Sequence, residues 1–422
     1  MTAASFQVGT TTQRKGRSAS AQAGGRGAPS LIQRRFNQAC QASGITTVNV
    51  ATTCTTRNAT RSTMSIPVPR SMGSAISAPS PSQTASPSCA LPAVSRMRWG
   101  KMRTVLHVGP SRTRGGMGTV IRLLADHPPA GWQTEMMASH ADGGALAVLN
   151  AWRKVRGSLK RRLRSGGIDL VHVHSATRWS WKRKRGLISI ARKAGIPVVL
   201  SLHSGDFDRH CAERGSEMTA VLATVHTVVL SESWRLRLST WLGDCSVIPN
   251  PVPTVPVSHE RDRTSFLLMG RANPMKGQSI AIDAVKRLRD EGHDVTLHLT
   301  GISHSEPGIT GHGWVDGEEK EGLLSTSGTL LSPSEWEGLS MTIIEAMARG
   351  MPVLASPTSE GVFDKAGRIV QRDAQSFATA MKAMLSGDEW HDMSAAGPDE
   401  SERFLLENVV PLWGALYDEV AR

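Results

Sequence analysis

"MRTVLHVGPSRTRGGMGTVIRLLADHP", Met102 to Pro128, runs from a short apolar segment through a glycine-rich turn into residues with helical spacing. "MRTVLHVGP" reads as a buried β-strand that begins immediately after a methionine, and "GGMGTVIRLLADHP" as a glycine turn leading into a helix. Strand, glycine turn and helix in that order open many nucleotide-binding α/β proteins.

The same alternation continues. "IDLVHVHS", "IPVVLSLHSGDF", "VHTVVLSES" and "CSVIPNPV" read as further strands, each ending in small or polar residues. "PNPVPTVPVSHERDRT", Pro249 to Thr264, is a proline-rich break expected to link two domains. Beyond it "SFLLMGR", "DVTLHLTG", "GTLLSPS", "MPVLAS" and "GRIVQ" read as strands, with helices expected over "KGQSIAIDAVKRLRDEG" and from Met341 to Arg349. The expected fold class is α/β, with two doubly wound, Rossmann-like domains over residues 101–255 and 256–398 facing across a cleft, and a C-terminal helix over 399–422 packing back across both.

Ligands in open α/β sheets sit beyond the carboxyl ends of the strands, which puts His172, His174, His203, Ser204 and Asp206 at the cleft. His172 and His174 are expected on opposite faces of their strand, one of them in the core, and so unsuited to holding a metal together.

The chain has 422 residues and a formal charge of +13, distributed unevenly: +11 over residues 1–100, +13 over 101–255 and −11 over 256–422. The first hundred residues are rich in Ser, Thr, Ala, Gly and Pro and lack periodic apolar residues, so they are expected to be disordered. The strand that starts just after Met102 favours an upstream extension translated from a start chosen too early over a transit segment or a nucleic-acid-binding tail. No apolar run approaches the roughly 18 residues of a membrane span, and the amino terminus lacks the apolar core of a secretory signal, so a cytoplasmic location is expected. The five cysteines show neither metal-ligand spacing nor an even disulfide framework.

In "AVLNAWRKVRGSLKRRLRSGG", Val148, Trp152, Val155, Leu159 and Leu163 recur at helical spacing between basic residues. With the basic "RWSWKRKRG", this points to an anionic membrane surface or an anionic acceptor as partner. The competing reading is that the stripe covers the sheet and the basic side is simply solvated.

Chemistry concentrates in two strand-to-helix turns. "SEWEGLSMTIIEAMARGMPVLAS", Ser334 to Ser356, carries Glu337 in a loop and Glu345 on the helix that follows, and the free N–H groups of the first helical turn suit a diphosphate or sugar hydroxyls. "GRANPMKG" carries Arg271 and Lys276, two cations able to neutralise a leaving diphosphate. Gly115, Gly116 and Gly118 let backbone approach phosphates from the other domain.

With these motifs in this order, Met102 to about Ser386 resembles a family 4, group 1, glycosyltransferase of GT-B fold, a retaining class often found in bacterial surface-glycan synthesis. The resemblance implies that Arg271 and Lys276 bind the nucleotide diphosphate, Glu345 the ribose and Glu337 the donor sugar. It places the backbone of Gly338, Leu339 and Ser340 on sugar hydroxyls and phosphate, Gly116 against the diphosphate, and His203 beside the reacting sugar. It implies no metal and no cofactor beyond the nucleotide sugar itself, and a saccharide or lipid-linked saccharide as acceptor. After "MPVLAS" the chain reads "PTSEGVFD", with Glu360 and Gly361 where relatives often show two glycines and a glutamate, so the sugar is left open. Asp206 and Glu337 are the carboxylates to consider if a covalent nucleophile is used. Two rivals stand beside this reading. A GT-B-fold epimerase would share the diphosphate site, and a basic nucleic-acid binder is disfavoured by the absence of a recognisable base-reading module.

Overall fold

The computed structural model describes residues 101–139, 145–242 and 245–422. The expectations for residues 1–100, and for the side chain of Val148, lie outside the described residues.

The first half alternates strand and helix: β1 (Arg103–Gly109), α1 (Gly116–Asp126), β2 (Trp132–Ala138), α2 (Ala145–Arg164), β3 (Leu170–Ser175), α3 (Trp179–Lys193), β4 (Val198–Leu202), α4 (Phe207–Leu222), β5 (His226–Val229), α5 (Glu232–Leu242) and β6 (Cys245–Val247). The strands form one parallel sheet in the order β2-β1-β3-β4-β5-β6. The chain first moves outward from β1 to β2 and then returns to β3 on the other side. That reversal opens a crevice at the carboxyl ends of β1 and β3, where the glycine turn of residues 115–118 lies.

The second half holds β7 (Asp262–Leu268), α6 (Gln278–Asp290), β8 (Thr296–Leu299), β9 (Ser303–Glu306), β10 (Ile309–His312), α7 (Gly317–Thr326), β11 (Ser327–Ser332), α8 (Met341–Met347), β12 (Val353–Ala355), β13 (Gly367–Ile369), α9 (Ala374–Leu385), α10 (Glu389–Ser401) and α11 (Leu406–Val420). Its strand order is β13-β12-β11-β7-β8-β10-β9, parallel except that β9 runs antiparallel to β10. The reversal here falls between β7 and β11, and the two turns that carry Arg271, Lys276 and Glu337 leave those strands side by side. The β9–β10 hairpin is absent from the sequence reading because "SHSE" and "ITGH" are too short and too polar to stand out.

The proline-rich linker is tied down. Val252 N donates to Phe404 O at 2.8 Å, Leu406 N donates to Val252 O at 2.9 Å, and the last three linker residues already belong to β7. The C-terminal helix expected over 399–422 is broken by a 3-10 turn at Glu402–Phe404, so α10 ends on the second domain and α11 starts afresh. α11 lies on the first domain, where Asp418 accepts hydrogen bonds from Arg103 and from Trp132 Nε1, and Trp413 and Tyr417 pack on His172. Burying a large side chain of this kind contributes about 1.5–3 kcal/mol, enough to keep the helix on the sheet. In α2, Val155, Leu159 and Leu163 are buried against the sheet and Trp152 is partly buried, so the described part of the stripe is core and the basic side faces water.

Candidate active site

The turn after β7 is built by Asn273, whose side chain accepts from Met275 N, and by Gln278, whose Nε2 donates to Arg271 O at 2.7 Å. These contacts set the directions of the two cations. Arg271 crosses to the first domain, donates to Arg114 O and lies against Gly115. Gly115 has φ of 119°, and a Cβ there would meet the guanidinium, so only glycine serves at this position. Lys276 turns instead to the loop after β11 and forms an ion pair with Glu337, which also accepts from Ser334 Oγ at 2.8 Å.

Glu345 is buried on α8, and both of its carboxylate oxygens are held by Lys320 of α7, at 2.8 and 2.7 Å. Glu345 is thus held inside the protein and not solvated. Glu321, the next residue of α7, receives Arg349 through two hydrogen bonds of 2.8 and 2.6 Å, so two adjacent residues fasten α7 to the α8 segment. Lys320 was missed from sequence because "GEEKEG" reads as a solvated acidic helix start; its signal was a lone lysine among acids with a buried glutamate elsewhere in need of a partner.

The two strand-end loops meet. A Cβ on Gly205 would strike the Glu337 carbonyl, and one on Gly338 would come within 2.7 Å of His203 O, so the His203–Gly205 and Glu337–Gly338 segments touch backbone to backbone. Asn250 Nδ2 donates to Leu339 O at 3.1 Å. Ser340 immediately precedes α8, its hydroxyl 3.0 Å from that of Thr342, and Met341 lies beneath Gly116. The predicted residues Gly116, His203, Arg271, Lys276, Glu337, Gly338, Leu339 and Ser340 thus come together where the two sheets face, with Glu345 on α8 behind them and its partner Lys320 on α7. Asp206 is engaged elsewhere, accepting from Thr177 Oγ1 at 2.9 Å and from Ser204.

The expectation for His172 and His174 needs correction. Residues two apart on a strand share a face, and both side chains are fully buried with their rings stacked 4.0 Å apart. His107 stands opposite His172 in the register, and His107, His172 and His174 are the one group of potential metal ligands among the described residues. Their nitrogens are largely spent on hydrogen bonds: His172 on Tyr417 Oη and Ser201 Oγ, both at 2.8 Å, and His174 on His107 and His203, both at 3.1 Å. Burial lowers His107 to about 3. Burial and then the charge of Lys184 lower His203 to about 4. His172 and His174 fall well below the usual value, by burial first and then by neighbouring histidines. All four are therefore neutral imidazoles near pH 7. Lys184, buried on α3, donates to Ser139 Oγ at 2.5 Å, and burial brings it down to about 7.

Among the described residues no helix is long and apolar enough to cross a membrane. The exposed basic surface of the first domain is formed by Arg153, Lys154, Lys160 and Arg161 of α2 and by α3, where Lys182 lies over the exposed ring of Trp179.

Comparison with known proteins follows the same division. Residues 114–255 match the family model "Glycosyltransferase Family 4", and residues 263–387 match "Glycosyl transferases group 1". A glycogen synthase of Mycobacterium tuberculosis is 26% identical over 264 residues, which are 53% of this chain and 61% of that protein. The chain thus spans about three fifths of that relative's length. A phosphatidyl-myo-inositol mannosyltransferase of Mycobacterium leprae is 24% identical over 317 residues, 66% of this chain and 80% of that protein. Among solved structures, a sucrose-phosphate synthase from Thermosynechococcus elongatus superposes with a TM-score of 0.60 at 19% identity, covering 75% of this chain and 98% of that one. The catalytic domain of starch synthase IV from Arabidopsis thaliana, solved with ADP and acarbose, gives 0.58 at 14% identity, covering 76% and 99%. At these identities the two superpositions establish the fold.

Proposed function

We propose, from the premise that this chain belongs to the group 1, family 4 glycosyltransferases of GT-B fold, that it moves a sugar from a nucleotide-diphosphate sugar to a saccharide or lipid-linked saccharide. The observation that carries the reading is the placement of Arg271 and Lys276 at the end of β7, one against Gly115 of the opposite domain and the other on Glu337.

A diphosphate is already a good leaving group, so the protein's task is to stabilise charge as it departs and to hold the reactants in line. Arg271 and Lys276 supply that charge without a metal ion. Before the donor arrives, Glu337 neutralises Lys276; an entering phosphate competes for the lysine and frees Glu337 to accept from sugar hydroxyls. Glu345, held by both oxygens on Lys320, presents a fixed carboxylate to the ribose. The backbone of Gly338, Leu339 and Ser340 takes the sugar and phosphate from the second domain, and Gly116 approaches from the first. His203, neutral, lies beside the reacting sugar. Transfer proceeds with retention on one face of the sugar, the leaving phosphate helping to take the acceptor's proton.

The setting is surface glycan or glycolipid synthesis in the cytoplasm, with the basic faces of α2 and α3 resting on an anionic membrane. Lysines and arginines near such a surface contribute about 1 kcal/mol each. The chain is expected to float with anionic vesicles and to stay behind with neutral ones. The direct test incubates the full chain with UDP-, GDP- and ADP-sugars and a panel of saccharide and lipid-linked acceptors, and reads the anomeric configuration of any product by NMR. A product of inverted configuration, or release of one altered nucleotide sugar with no acceptor consumed, would sink the retaining-transfer reading.

A further inference from the structure

A line of three imidazoles starts at the cleft and ends inside the first domain. His203 Nε2 lies 3.1 Å from His174 Nδ1, and His174 Nε2 lies 3.1 Å from His107 Nδ1. At the far end His107 Nε2 is buried and has no partner among the described residues. At the near end Nδ1 is the nitrogen of His203 left for a ligand, on a residue that is only partly buried.

A neutral imidazole has one N–H and one lone pair, so a ring between two others must donate to one and accept from the other. The line therefore has two proton arrangements, all bonds directed inward or all directed outward, and His203 cannot change tautomer without the other two. The charged and titratable groups around it favour the neutral ring. Lys184 of α3 opposes a second positive charge. His172, stacked on His174, is held by Tyr417 of α11 and Ser201. Asp206, on the same loop, is engaged by Thr177 and Ser204, and Glu337 across the cleft by Lys276.

We propose that His174 is a positioning residue for His203: it occupies Nε2 of that ring, holds the ring in one neutral form, and leaves Nδ1 as the single polar ring atom offered to a donor sugar in the cleft. The assignment to a sugar rests on the glycosyltransferase reading; the state of the ring does not.

The test labels the full chain with 15N-histidine and follows the His203 ring, assigned by its loss in His203→Gln, from pH 8 to pH 5. It compares the unaltered chain with His174→Asn, whose amide can replace Nδ1, and with His174→Leu, which removes the contact. In the unaltered chain and in His174→Asn the ring should remain one neutral tautomer throughout. In His174→Leu, with its burial and Lys184 unchanged, the ring should stay neutral but mix tautomers, and kcat for sugar transfer should fall about tenfold to a hundredfold with little change in donor KM. A His203 ring that mixes tautomers in the unaltered chain would overturn the proposal, and this measurement decides the matter even if the leucine variant does not fold. A His203 ring indifferent to His174→Leu, or equal kcat in the two variants, would overturn it as well. If the unaltered chain transfers no sugar from any nucleotide donor, the functional reading fails, while the ring spectra still decide whether His174 holds His203.

Discussion

Replacing Lys320 by leucine isolates the interaction that most clearly separates a built site from a decorated surface. Glu345 is 7% exposed and both of its oxygens rest on Lys320, whose side chain is 30% exposed. Breaking a fully buried pair costs about 3–5 kcal/mol because one charge is left without compensation, whereas exposed pairs are worth about 0–1. A buried carboxylate paired with a half-covered lysine falls between these limits, so Lys320→Leu should destabilise the chain by about 2 kcal/mol. The neighbouring pair of Glu321 with Arg349 still fastens α7, which keeps the effect local. Adding Glu345→Gln removes the stranded charge and should restore most of the loss. Urea unfolding followed by tryptophan fluorescence reads both variants. A change below about 0.5 kcal/mol for the single variant, or a double variant no better than the single, would refute the reasoning.

Further outcomes follow from the same contacts. His107, His172 and His174 are buried neutral, so the stability they contribute is fully present above about pH 6.5 and is lost as pH falls toward their native-state values, His107 near 3. Each can contribute up to about 1.4 kcal/mol per pH unit over that window, and urea midpoints unchanged between pH 7.5 and 5 would contradict this. Tyr417→Phe strips the hydroxyl from His172 Nδ1 and should cost about 1–3 kcal/mol in the same unfolding assay, since a buried polar atom loses its partner; a neutral substitution would count against the buried network. Gly115→Ala forces a side chain into the left-handed region and into the Arg271 guanidinium, and should weaken nucleoside diphosphate binding by displacing that arginine; undiminished affinity by calorimetry would mean that the arginine does not bind the ligand from this position.

The parts of the fold legible in sequence are those governed by local rules. Met102 to Pro128 shows its strand, turn and helix because an apolar run, glycines and helical spacing follow one another, and the turns carrying Arg271, Lys276 and Glu337 are placed correctly because each follows a strongly apolar strand. What was missed depends on distant partners. Lys320 looks solvated until α8 is folded beside it, and the break at Glu402–Phe404 follows from Val252 of the linker pairing with Leu405, far away in the chain. The histidines are a different matter: their spacing of two already requires a common face, and the reading of opposite faces misapplied the strand period. The proton arrangement of His203 requires His107, whose place opposite His172 is set by sheet register.

Calorimetric titration of the full chain with UDP, GDP and ADP, repeated on the Arg271→Ala/Lys276→Ala variant, tests the donor site most directly. The account predicts that one nucleoside diphosphate binds and that the double substitution abolishes binding while the fold survives. Binding that persists in the variant, or no binding of any of the three by the folded chain, would contradict it.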